Sequence, residues 1–137
     1  MELPEDVSWW PDFHVFAWKP RGVLDEKAVN RIIRFIGSQE AGIAAPFNRF
    51  TDLSAIEAIE LNFKFIFHVA LYRRLSYMGR APVKSAFFVT NPEAAHFVKM
   101  HLMLTDHSPL HVEVFEQAEA AAKWLEVPIE FIGRAAP

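Results

Sequence analysis

Four short runs of aromatic and β-branched residues alternate along this chain with stretches whose apolar residues recur at helical spacing, and no other feature limits the fold as much. The first strand is expected at residues 13–18 and is closed by Lys19-Pro20-Arg21-Gly22. A helix follows, with Asp25 as its N-cap, Glu26 at the positive end of its dipole, and Val29, Ile32, Ile33 and Ile36 on one face. It is expected to end near Gly37, and residues 39–46 are small and turn-prone. Residues 47–51 read as a second strand that ends at Asp52. In residues 59–78 the apolar residues alternate with period two, yet the run is too long for a strand and holds no turn residue, so length decides for helix. Gly79 and Pro82 end it, and residues 83–89 form a third, buried strand.

Asn91-Pro92-Glu93 is the clearest local signal: an N-cap, a proline at the first helical position, and an acid beside the dipole. The helix it opens should run to about Leu104. Residues 105–109 form a loop, 111–115 a fourth strand, and 117–125 a last helix stopped by Pro128. The order β-α-β-α-β-α-β-α predicts an α/β fold: a mainly parallel or mixed sheet of four to five strands with helices packed on it. The expected division is a short leader at 1–11, one domain at 12–128 and a tail at 129–137.

Composition narrows the functional classes. With 137 residues, 52% of them hydrophobic and 13 of them Phe, one domain can hold its own core. The absence of cysteine excludes disulfides, thiolate ligands and a cysteine nucleophile. The start of the chain is acidic and lacks the pattern of a signal peptide, so a cytoplasmic location is expected. The most apolar stretch, residues 63–72, is interrupted by Lys64 and His68 and is too short to span a membrane; no membrane insertion is expected. A net charge of -3 without a basic block argues against nucleic acid as a partner.

Residues 112–125, a strand with Val112-Glu113-Val114-Phe115 followed by a helix ending near Trp124-Leu125, resemble the STAS-like proteins, in particular those likened to the sporulation anti-sigma-factor antagonist. Arg49-Phe50-Thr51-Asp52-Leu53-Ser54, Arg73-Arg74 and Lys84-Ser85-Ala86 agree with it, and the likeness spans roughly residues 12–128. It implies a STAS-like fold and a prokaryotic regulatory module working through protein contacts. In the true antagonists a serine in a turn several residues past an Asp-Leu-Ser strand is phosphorylated. Aligning Asp52-Leu53-Ser54 with that strand puts Leu61 at the serine and Phe63 at the turn glycine, so the phosphorylation switch does not transfer.

The remaining candidates come from the residues themselves. A rim at the carboxyl ends of the strands, where open α/β sheets bind ligands, would gather Lys19, Arg21, Thr51, Asp52, Ser54, Thr90, Asn91 and Glu116 for a ligand or partner. Several of these are equally the caps and turn formers that such an edge needs. His96, His101, His107 and His111 with Asp106 suggest a metal site, but His96 and His101 diverge by about 140° on a helix, so no metal and no cofactor are expected. No nucleophile elbow, Walker loop or dinucleotide fingerprint is present, and a non-enzyme is expected. Arg73, Arg74, Arg80 and Lys84 would complement the negative end of the second helix or meet an anion. The apolar surplus of Phe63, Phe67 and Leu71, with Trp9 and Trp10, would serve a homodimer interface, a groove for another regulatory protein, or a cavity for a small apolar or lipid-like ligand. Self-association is the favoured expectation and carriage of an apolar ligand the alternative.

Overall fold

The expected alternation is present, with additions at both ends and at two of the crossovers. In a computed structural model, which describes residues 2–43 and 45–134, the order is β1 (Val7–Trp10), β2 (Val15–Trp18), β3 (Gly22–Asp25), α1 (Glu26–Gly42), β4 (Asn48–Asp52), β5 (Ile56–Glu60), α2 (Phe63–Ser76), β6 (Val83–Phe88), α3 (Pro92–Thr105), β7 (Leu110–Phe115), α4 (Ala118–Leu125) and α5 (Ile129–Arg134). Met1 of the expected leader and residues 135–137 of the expected tail lie outside the described residues.

The main sheet has the order β1-β2-β4-β6-β7. β1 runs antiparallel to β2 and the other pairs are parallel. From β2 onward the spatial order follows the chain order. Right-handed crossovers that always step the same way place every crossover helix on one face. α1, α2 and α3 therefore share a face, and α4 and α5 cover the other.

Side-chain alternation sorts the strand residues between these faces. Phe16, Arg49, Ser85 and Val112 lie abreast across the sheet and point toward α1–α3. Ala17, Phe50 and Ala86 lie abreast on the opposite face, packed with Trp10, Ala121, Ala122, Leu125 and Ile132. Phe50 is fully buried and stacks on Trp10 at 6.1 Å between ring centroids.

Three departures from the sequence reading bear on the site. First, α1 continues past Gly37 to Gly42. An exposed glycine inside a helix costs about 1 kcal/mol, which the packing of Val29, Ile32, Phe35 and Ile36 outweighs. Second, the run read as one helix over 59–78 is divided: residues 56–60 form β5, which pairs in parallel with β3 as a small second sheet, and the helix begins at Phe63. The period-two alternation from Leu61 to Leu71 lies after β5 and almost wholly within α2, so length was the correct guide there. Asn62 caps α2, its Oδ1 accepting from Phe65 N at 2.8 Å, and Gly79, with φ of 76°, takes the left-handed turn beyond its end. Third, residues 7–10, read as part of a leader, form edge strand β1, and residues 129–134, read as tail, form α5.

Candidate functional site

The rim residues fall into separate groups. Asp52 Oδ1 accepts from Ser54 N at 2.9 Å and from Ser54 Oγ at 2.6 Å, while Lys19 Nζ stands 3.8 Å from Asp52 Oδ2. This carboxylate is spent on its own turn. Asn91 Oδ1 caps α3 by accepting from Glu93 N at 2.8 Å. Thr90, Asn91 and Glu116 do line one open cleft, together with His96 and Lys99. Arg21 is exposed on the β2–β3 connection, and Thr51 is buried on the face that looks toward α1–α3.

Beneath that face lies a cavity of about 140 Å³. Its walls are apolar: Ile32, Ile33 and Ile36 from α1, Ile66 and Val69 from α2, and Phe97 and Val98 from α3, with Phe16 and Trp18 on the sheet. Polar side chains enter it at Arg49, Thr51, Arg73, Ser85 and His101. The sheet supplies Arg49 and Ser85 as register partners, α2 supplies Arg73, and α3 supplies His101.

Behind this polar side, guanidinium groups gather around a single ring. Arg49 Nη2 donates to Glu40 Oε2 at 2.6 Å and to Tyr77 Oη at 2.5 Å. Tyr77 Oη donates in turn to Glu40, and Arg73 Nη2 reaches Tyr77 Oη at 3.2 Å. Arg80 Nη1 lies 3.6 Å from the same Glu40 oxygen. Arg49, Arg73 and Arg80 also stand over the Tyr77 ring at 5.2, 5.0 and 5.5 Å. Burial pulls the Arg49 guanidinium below its ordinary value, against the opposing pull of Tyr77 and Glu40. Burial likewise pushes the Tyr77 hydroxyl up to about 12, although Arg73 and Arg49 oppose it. The His101 imidazole is pulled down to about 4, first by burial and then by Arg73, so it is neutral at neutral pH. Arg49 Nε, Arg49 Nη1 and His101 Nδ1 are buried and have no hydrogen-bond partner among the described residues.

α2 is apolar on its outer side as well. Phe63, Phe67, Leu71 and Leu75 recur every four residues on one face and are 52, 48, 45 and 59% exposed, with Met78 just beyond at 68%. Phe63 touches α3, its ring 5.6 Å from that of Phe97; the others look outward. The expected cavity beside Phe63, Phe67 and Leu71 is thus on the other side of the same helix, lined by Ile66, Val69 and Arg73. Trp10 belongs to the core, and Trp9 packs on Phe16 at 4.3 Å; neither lines the cavity.

The basic residues near the end of α2 take different tasks from the one expected. Arg74 donates to the carbonyls of Leu104 and Asp106 at the end of α3, and Lys84 to that of Trp124 at the end of α4 at 2.8 Å. They complement helix ends, but not those of α2. Among the described residues no group of His, Asp or Glu side chains is arranged to hold a metal ion. The Arg49, Glu40 and Tyr77 cluster escaped the sequence reading. Arg49, a lone charge between Phe47 and Phe50 in a buried strand, was the available signal, since arginine is rarely buried unpaired.

Comparison with known structures decides the fold. The chain matches a crystal structure of an uncharacterised protein of the DUF3478 family with a SpoIIAA-like fold from Shewanella loihica PV-4, with a TM-score of 0.55, 16% identity, and coverage of 87% of this chain and 89% of that one. This chain has the SpoIIAA-like, STAS-like fold. No family model matches the sequence, and no curated protein does. Within the SpoIIAA-like fold, Leu61 and Asn62 lie directly before α2, where the resemblance had set the antagonists' phosphorylated turn. Leu61 lines the cavity, and Asn62 is spent on capping.

Proposed function

We propose that this SpoIIAA-like domain is a non-enzymatic binding module of the prokaryotic cytoplasm that works through protein contacts, first of all with a second copy of itself. The observation that carries the reading is the outward stripe Phe67, Leu71 and Leu75, a line of large side chains left exposed on the monomer. Aromatic and aliphatic anchors of this kind supply most of the free energy at protein interfaces. With Leu61 at the switch position, control of such contacts runs by some route other than phosphorylation there. Native mass spectrometry and sedimentation should find a dimer that Phe67→Glu with Leu71→Glu converts to a folded monomer, its secondary structure unchanged by circular dichroism. A wild-type monomer at all attainable concentrations would overturn self-association. A second reading, carriage of a small apolar-bodied ligand, is supported by the cavity, whose walls are mostly apolar.

A further inference from the structure

The cavity has a chemical polarity that an oil-filled void would lack. Its apolar walls come from α1, α2 and α3, while Arg49, Arg73, Ser85 and His101 converge on it from two strands and two helices. Arg49 is 5% exposed and Arg73 9%. Such burial is costly unless each charge is neutralised and each donor is bonded. Glu40 is shared between Arg49 and Arg80, and no carboxylate among the described residues lies within ion-pairing distance of Arg73. Arg80 is half exposed and is screened by water, so the buried part of the cluster holds two guanidinium groups against one carboxylate. The N–H groups on Arg49 Nε and Nη1 have no acceptor, nor has His101 Nδ1 a partner. One negative charge with acceptor oxygens would answer both deficits.

Size sets the rest of the molecule. A dry, apolar cavity of about 150 Å³ is known to hold benzene, so about 140 Å³ admits a body of roughly six to nine non-hydrogen atoms. We infer that this cavity is a binding site for a small amphiphilic monoanion, a carboxylate on a short aliphatic or aromatic body, with its head against Arg49, Arg73 and His101 and its body among Ile36, Ile66 and Phe97. The inference rests on the reading of an interior ligand site and adds the charge and size of its occupant. Arg73 holds the head group by charge, and the neutral His101 turns its Nδ1 to it as a hydrogen-bond donor.

The test is a titration of the full chain followed by amide NMR with three matched compounds: hexanoate, 1-hexanol and acetate. Hexanoate is expected to shift the resonances of Ala94, Val98 and Ser85 and to bind at least about tenfold more tightly than 1-hexanol, with acetate failing to bind. Equal affinity for hexanoate and 1-hexanol would keep the interior site and overturn its anionic preference. If neither compound shifts those resonances, the interior site itself is refuted. Acetate binding as well as hexanoate would overturn the apolar body. Arg73→Met should weaken hexanoate by about tenfold or more and leave 1-hexanol unchanged, and unchanged hexanoate affinity would overturn the assignment of the head group. Arg73→Lys keeps the charge, so it should recover part of the loss and provides the same comparison if Arg73→Met does not fold.

Discussion

Glu40 decides whether the buried guanidinium groups are tolerated. Its carboxylate accepts from Arg49 and from Tyr77 and stands near Arg80, so its removal strands positive charge in a low-dielectric site. Glu40→Ala is expected to cost about 3 kcal/mol in urea denaturation, well above a surface substitution. Protonation adds a second expectation. His101 has its ordinary value of 6.5 in the unfolded chain and about 4 in the native one, beside Arg73 and the Phe87 ring. The unfolded state thus binds more protons between these values, and the native state loses stability as pH falls from 6.5 to 4, by at most about 3 kcal/mol. Urea midpoints should fall as pH is lowered across that range, and His101→Leu should flatten the slope. Tyr77 has the opposite limb: raised from 10 to about 12, its neutral form stabilises the native state below pH 10, and that stability drains away as pH climbs toward 12. The residue-level signal in the sequence was Arg49 among aromatics. Its partners were hidden, because Glu40 lies on the preceding helix and Tyr77 is 28 residues away, and neither sits in a recognisable spacing.

α2 is the element on which both functional readings meet. Its inner face gives Ile66, Val69 and Arg73 to the cavity, and its outer face gives Phe67, Leu71 and Leu75 to solvent. A helix apolar all round needs partners on more than one side. The helical stretch was legible from its length, but its start was not, because the period-two alternation runs across the boundary from strand to helix and made the cap residue Asn62 look like one of its polar positions. Only the pairing of β5 with β3 separates the two. Asn62→Ala, which removes the acceptor for Phe65 N, should lower stability by about 1 kcal/mol and raise amide exchange in the first turn of α2. Asn91→Ala should do the same for α3, where the cap was plain in the sequence as Asn-Pro-Glu. The end of α1 shows the reverse error. Gly37 suggested a stop, the helix ran on to Gly42, and the added turn is what carries Glu40 to Arg49.

Over the whole molecule, the one-way order of strands β2 to β7 sets the three crossover helices α1, α2 and α3 over the face that holds the cavity. On the opposite face α4 lays Ala121 and Ala122 on Phe50 and Ala86. Phe50→Ala, fully buried at the centre of that face, should cost about 3–5 kcal/mol by urea denaturation. By itself the sequence determined the α/β alternation, the mainly parallel sheet, the caps at Asp25 and Asn91 and the apolar character of α2, because these depend on period, local hydrogen bonding and chain length. Tertiary structure alone decided that Phe63 meets α3 while Phe67 and Leu71 face outward, that Trp10 is core, and that Arg49, Arg73 and His101 share a cavity. Those outcomes depend on which strands become neighbours and on which face each crossover lands, and no local pattern carries that information.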